Sequence, residues 1–299
     1  MKAYSFLSQG FSGLLRVAGN ALFGKCRPLV GGIAITDRCN LHCLQCAVSN
    51  RGMPDMGLDE ILTGLKRLRE MGIRALFVEG GEPFLWQDGE NELEDVVANA
   101  RIMGFRSIVV YTNGTFPIET SADAVFVSLD GLKHTNDRLR GKSYDAVVSN
   151  IKDSPHPKLL INFTINRTNE PEIEPFCDEV SRIDHIRGVF FYFYTPYRGA
   201  DDFFLDREER AGVIERILRL KSTGCRILNS AAALRGVRDD TWDRPTSLCY
   251  LYADNRLYRC CRHIGNEDTC RNCGYLGYAE LHFMARLRPS AILSAARCL

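Results

Sequence analysis

No apolar run in this sequence approaches the ~20 residues that a helix needs to cross a bilayer. A membrane-spanning helix is therefore not expected. Charge of one sign is also lacking, since 38 Lys and Arg stand against 37 Asp and Glu. Such a balance creates no global field of the kind that draws a chain onto nucleic acid, which is not an expected partner. Missing too is the n-region, apolar core and cleavage site of a secretory signal, so the expected location is cytoplasmic. The segment 1–30 carries Leu7, Phe11, Leu14, Leu15, Ala18 and Leu22 at helical spacing beside Arg16, Lys25 and Arg27. It would pack on its own domain or rest peripherally on a membrane surface.

What the chain has in excess is cysteine, twelve in 299 residues. A cytosolic setting disfavours disulfides, and the distribution is uneven. Three cysteines fall in residues 39–46 and five in 249–273, whereas Cys26, Cys177, Cys225 and Cys298 stand alone. Clusters with short spacings indicate metal, and the isolated four read as core thiols.

From residue 31 onward, β-rich runs alternate with amphipathic helical stretches, the mark of parallel βα units in an α/β fold. Strands are expected at 32–36, 75–79, 107–112, 124–129, 159–165 and 188–194. Helices are expected at 58–71, 92–103, 144–152, 172–183 and 206–221. Six units are too few for a closed eight-unit barrel, so a partial (βα)6 barrel over 31–240 is expected, with its active site at the C-terminal strand ends. The rhythm stops near Asp240. Residues 241–299 then read as a small cysteine-rich domain with a hairpin around Ala253 to Arg256.

Cys39, Cys43 and Cys46 form a Cys-x3-Cys-x2-Cys run, which places three thiolates on one loop. Thiolates are the ligands of iron-sulfur clusters, and three of them leave one iron of a cubane open. Zinc would want a fourth protein ligand. His42 stands within the loop, at a position better suited to a solvent-facing polar residue. One βα unit later comes Gly80-Gly81-Glu82-Pro83, where paired glycines let a ligand approach the backbone. Asn113 lies in Tyr-Thr-Asn-Gly-Thr after the third strand, and Val-Ser-Leu-Asp-Gly at 127–131 follows the fourth, with Leu-Arg-Gly at 139–141.

These motifs together resemble the radical S-adenosylmethionine superfamily over roughly residues 30–200. The resemblance implies that Cys39, Cys43 and Cys46 hold a 4Fe-4S cluster, at which S-adenosylmethionine is reductively cleaved to a 5′-deoxyadenosyl radical that abstracts hydrogen from a substrate. It also implies that Gly80, Gly81, Glu82, Pro83, Asn113, Ser128, Asp130 and Arg140 bind the cofactor. Gln45 departs from the pattern, because the residue before the third cysteine is often aromatic in that family.

Cys249, Cys260, Cys261, Cys270 and Cys273 give Cys-x10-Cys-Cys-x8-Cys-x2-Cys. By spacing alone this is a zinc ribbon or an iron-sulfur site. It resembles the SPASM or twitch extension of the same superfamily, which implies a second 4Fe-4S cluster on Cys249, Cys260, Cys270 and Cys273, with Cys261 as substitute for Cys260. Four ligands leave no open iron, so that cluster would accept electrons and the reaction would be an oxidation or crosslink. The expected substrate is a small molecule, peptide or lipid, and the expected reductant a flavodoxin or ferredoxin. The short stretch before the first strand weighs against a leader-binding domain and hence against a peptide. An alternative is an isomerase, C–C bond-forming or methylene-transfer enzyme of lipid or cofactor biosynthesis. A rival of another class is a non-catalytic zinc- or iron-binding module.

Overall fold

A computed structural model describes residues 27–199 and 201–298. The amphipathic segment expected over 1–30, and Cys26, therefore lie almost wholly outside the described residues, and no described helix is long and apolar enough to cross a membrane.

Apolar runs build the sheet. Strands β1 (Val30–Ala34), β2 (Ala75–Glu79), β3 (Ser107–Thr112), β4 (Ala124–Ser128), β5 (Leu159–Ile165) and β6 (Ile186–Phe193) lie side by side in that order, every neighbouring pair parallel. Parallel strands are covered on both faces, which is why runs such as Leu-Leu-Ile-Asn-Phe-Thr-Ile at β5 are almost continuously apolar. The crossovers are helices α1 (Leu58–Glu70), α2 (Leu93–Ile102), α3 (Lys133–Arg140), α4 (Tyr144–Asp153) and α5 (Ile173–Ser181), and α6 (Arg207–Ser222) and α7 (Ala231–Arg238) follow β6. On α1, Ile61, Leu65 and Leu68 recur at helical spacing and are fully buried. Its start lacks a capping side chain at Gly57, and Asp88 supplies one by accepting from the Leu58 N–H at 2.7 Å.

The tail adds two strands to the same sheet. Strand β7 (Cys249–Ala253) runs parallel to β1, pairing Val30 with Cys249, and β8 (Arg256–Arg259) returns antiparallel at the edge. The hairpin expected around Ala253 is present, its turn made by Asp254 and Asn255 in the left-handed conformation. The chain then reaches the opposite edge. After α8 (Glu267–Arg271), the Gly274 carbonyl accepts from the Phe193 N–H at 2.9 Å, and its N–H donates to Thr195 Oγ1 at 2.8 Å. Helices α9 (Leu276–Ala285) and α10 (Pro289–Cys298) pack with α7 against the end of the molecule beside β6. The segment 249–274 thus spans from the β1 edge to the β6 edge. A sheet whose two edges are met by one short segment must curl, and its concave face becomes the wall of a cavity.

Candidate active site

The loop leaving β1 is shaped by its own polar side chains. Asp37, 5% exposed, accepts from the Arg51 and Met53 N–H groups at 2.6 and 3.1 Å and from Arg51 Nε at 2.7 Å. Asn50 works from inside the turn, its Oδ1 accepting from the Cys39 N–H at 2.9 Å and its Nδ2 donating to the Leu41 carbonyl at 3.0 Å. Arg51 also pairs with Asp254 at 3.0 Å, which ties the first cysteine loop to the hairpin between Cys249 and Cys260. The result presents Cys39, Cys43 and Cys46 to one cavity, while His42 stays exposed. Burial pushes the Cys43 thiol up to about 11, with the Arg140 charge opposing, and raises Cys39 as well.

Gly80 and Gly81 line the cavity, and the structure gives their lack of side chain a second cause. A Cβ on Gly81 would stand 2.1 Å from the Arg38 carbonyl oxygen, and one on Gly80 2.5 Å from that of Thr36. The two loops are joined by hydrogen bonds from the Gly81 N–H to Thr36 and from the Glu82 N–H to Arg38, both 2.8 Å. Glu82 faces inward, fully buried, accepting from Thr112 Oγ1 at 2.7 Å and the Asn113 N–H at 2.6 Å. Burial raises it to about 7, against those hydrogen bonds. Pro83, also buried, opens a single 3-10 turn. Neither Glu82 nor Pro83 reaches the cavity wall. Asn113 does, with Nδ2 at 2.8 Å from Asn40 Oδ1 and 3.6 Å from Cys39 Sγ.

Opposite lies a polar junction centred on Asp130, which is wholly buried. Its Oδ2 accepts from Arg140 Nε at 2.6 Å and Gln45 Nε2 at 2.7 Å, and its Oδ1 from the Thr164 N–H at 2.6 Å. Arg140 Nη1 is 4.0 Å from Cys43 Sγ. Arg140 and Ser128 line the cavity, whereas Asp130 holds Arg140 from behind. The Leu44 N–H donates to the Leu139 carbonyl at 2.9 Å, docking the cysteine loop on the end of α3.

The cavity encloses about 390 Å³. Aromatic rings form much of its wall: Tyr111 stacks on Phe126 at 4.8 Å, and the Tyr111 and Tyr192 hydroxyls meet at 3.2 Å. Tyr275 packs edge-on to Tyr192 at 5.7 Å and parallel to Tyr278 at 5.1 Å. Four polar residues on this wall carry buried atoms without a hydrogen-bond partner: Gln45 Oε1, Asn162 Oδ1, Arg262 Nε and Glu280 Oε2.

The far wall belongs to the tail. Cys249 and Cys261 line the same cavity as the first three cysteines. Cys260 turns the other way, its backbone left-handed at φ 71°, its N–H donating to the Cys249 carbonyl at 2.9 Å and its carbonyl accepting from Tyr278 Oη at 2.9 Å. A hydrogen bond between neighbouring thiols raises Cys260 and lowers Cys261, while burial raises Cys249 and pushes Cys273 up to about 12. Cys270 lies in the last turn of α8, and Cys273 follows its end. Cys249, Cys260, Cys261 and Cys273 share one apolar cluster with Trp242, Leu248 and Tyr278. Among the described residues, no three His, Cys, Asp or Glu side chains are gathered closely enough to hold a metal ion. The donor sets nonetheless fit iron-sulfur chemistry: each is made of thiols, half-buried at the first site and set mostly in an apolar cluster at the second, and a cubane takes one thiolate per iron rather than gathering all on one atom. Sequence reasoning did not single out Asn162, Arg262 or the tyrosines, because only their meeting in the cavity distinguishes them from ordinary core.

Comparison with known proteins agrees with this arrangement. Residues 33–155 match the model of the Radical SAM superfamily. The chain is 28% identical to an Fe-coproporphyrin III synthase of Methanosarcina barkeri over 211 residues, 64% of this chain and 52% of that protein. It is 30% identical to a pre-heme d1 synthase of Dinoroseobacter shibae over 163 residues, 48% of this chain and 39% of the other. With a probable GTP 3′,8-cyclase of Halobacterium salinarum it shares 23% identity, over 81% of this chain and 73% of the relative. The chain thus spans about half the length of the first of these relatives. In fold it is similar to the solved structure of Streptococcus suis SuiB bound to S-adenosylmethionine, with a TM-score of 0.64 and 15% identity, over 89% of this chain and 67% of the other. The three-cysteine loop and the Gly-Gly-Glu-Pro turn both fall within residues 33–155, the segment that matches the Radical SAM superfamily.

Proposed function

We propose that the protein is an oxidative radical enzyme in which Cys39, Cys43 and Cys46 bind a 4Fe-4S cluster and Cys249, Cys270, Cys273 and one of Cys260 or Cys261 bind a second. The observation that carries this reading is the single cavity, which has the first thiol triad in one wall and Cys249 and Cys261 in the other. The first cluster, when bound, supplies the electron that cleaves S-adenosylmethionine and so generates a species able to abstract hydrogen from unreactive carbon. The chain's own residues do the rest. Gly80, Gly81, Asn113, Ser128 and Arg140 shape the cofactor's place, and the ring-lined wall excludes water and seats the substrate. Residues 241–299 act as the auxiliary-cluster segment, a reading supported by Cys249 and Cys261 on the shared cavity, and would take up the electron that leaves the substrate. A flavodoxin or ferredoxin is the proposed reductant.

A second reading, C–C bond formation or rearrangement in cofactor biosynthesis, is favoured by the modest volume and aromatic lining of the cavity, which suit a compact substrate better than an extended peptide. The relatives are named as two synthases and a cyclase, which supports the same reading. SuiB, by contrast, has been solved with a precursor peptide.

The test is anaerobic reconstitution followed by iron counting and a 5′-deoxyadenosine assay. Iron at both sites with release of 5′-deoxyadenosine is expected. Failure to bind S-adenosylmethionine would instead indicate a non-catalytic metal module.

A further inference from the structure

Gln45 is held in one orientation. Its Nε2 donates to Asp130 Oδ2 at 2.7 Å, an oxygen that also receives Arg140 Nε at 2.6 Å. Turning the amide over would set its oxygen against the carboxylate, so the junction fixes Oε1 on the other side. That oxygen is buried and has no partner. Leaving an acceptor buried and unpaired costs ~1–3 kcal/mol, a cost recovered when a donor is brought to it. Asn162 presents a second such acceptor from β5. It stands beside Ser128 in the sheet register and two residues from Thr164, whose N–H is held by the other oxygen of Asp130. Both residues line the cavity on which Cys43 and Cys46 open.

We infer that Gln45 Oε1 accepts a hydrogen bond from the adenosyl part of S-adenosylmethionine, with Asn162 Oδ1 as a second acceptor for the same group. This rests on the proposed reading, in which the cofactor occupies the cavity beside the first cysteine triad. An adenosyl group offers two ribose hydroxyls and one exocyclic amine as donors, and the wall offers two acceptors, of which Gln45 Oε1 is fixed by Asp130. Arg140 and Asp130 then act as positioning residues, setting the amide rather than meeting the ligand through the carboxylate.

The experiment is equilibrium binding of S-adenosylmethionine to the anaerobically reconstituted protein, with iron content measured on the same samples. Gln45→Met keeps the length of the side chain and removes its acceptor. About tenfold weaker binding at unchanged iron content is expected, the worth of one hydrogen bond. The 2′-deoxy, 3′-deoxy and inosyl analogues identify the donor. One of them should bind the unsubstituted protein about tenfold more weakly than S-adenosylmethionine does, yet lose nothing further in Gln45→Met. Asn162→Ala should show the same pattern with an analogue of its own. Equal affinity of S-adenosylmethionine for the unsubstituted and Gln45→Met proteins overturns the inference alone. No binding by the unsubstituted protein overturns the functional reading with it.

Discussion

At the scale of single residues, geometry and sequence disagree most instructively at Gly81. Paired glycines after a strand suggest an opening for a ligand, and on that basis a side chain there would weaken cofactor binding while sparing the cluster. The contact with the Arg38 carbonyl changes the expectation, because Arg38 is the residue before Cys39. Gly81→Val should push the cysteine loop off its seat, destabilise the fold by about 3 kcal/mol, and lower first-site iron along with binding. Iron content and a urea melt on the same preparation check this, and full iron with a normal melt would restore the simpler view. Glu280 offers a second residue-scale expectation. Burial raises its carboxyl to about 7, its Oε1 accepts from the Ser230 N–H at 2.6 Å, and Oε2 has no partner. An acid whose pKa is higher folded than unfolded stabilises below its unfolded value, and that contribution is lost as pH rises through the folded one. Stability should therefore fall between about pH 4.5 and 7, by up to roughly 3 kcal/mol. Glu280→Gln should be near neutral at pH 5 and stabilising at pH 8. Parallel stability curves for the two proteins would show that Glu280 ionises freely.

At the scale of elements, local pattern was enough wherever a strand buries both faces. The apolar runs at β2, β3 and β5 were readable to the residue, and α1, α2, α4, α5 and α6 to within two or three, because each alternates cleanly with turn glycines such as Gly72 and Gly104. Helix α3 escaped notice since its sequence, Lys-His-Thr-Asn-Asp-Arg-Leu-Arg, has almost no apolar stripe. It forms because Thr135 and the Leu132 N–H are held by Glu172 at 2.6 and 2.8 Å, a contact across 40 residues of sequence. The place of β7 was equally hidden. Its residues were read as one arm of a hairpin, but pairing with β1 across more than 200 residues leaves no local trace. Of the candidate site, the cysteines and loop motifs were legible because their spacing is short, and the cavity wall was not. The cysteine loop is the element with the plainest expectation. Replacing Cys39, Cys43 and Cys46 together by Ala should abolish 5′-deoxyadenosine formation while leaving roughly four of about eight irons bound. Undiminished 5′-deoxyadenosine in that variant would defeat the assignment of the first site.

At the scale of the whole molecule, the decisive feature is that the tail meets both edges of the sheet, through β7 beside β1 and through Gly274 beside Phe193. The curl this imposes brings the first cysteine triad and two tail cysteines, Cys249 and Cys261, separated from it by some two hundred residues of chain, onto one cavity. Cys249, Cys270, Cys273 and one of Cys260 or Cys261 would hold a second cluster, which would supply an electron acceptor separate from the cysteine loop at which S-adenosylmethionine would be cleaved. The two functions should consequently separate. Removing Cys270 and Cys273 should leave cleavage to 5′-deoxyadenosine in the absence of substrate almost intact, because neither lines the cavity onto which Cys39, Cys43 and Cys46 open. Turnover of the true substrate should be lost, since the electron then has no acceptor. Folding must be followed at the same time by circular dichroism, because Arg210 reaches the Cys273 carbonyl and Arg244 that of Cys270, and metal binding at such sites is coupled to folding. A folded variant that still turns over substrate would remove the electron-accepting role from the tail. Zinc in place of iron in protein purified without air would leave Cys249, Cys260, Cys261, Cys270 and Cys273 as a structural clasp across the opening of the sheet.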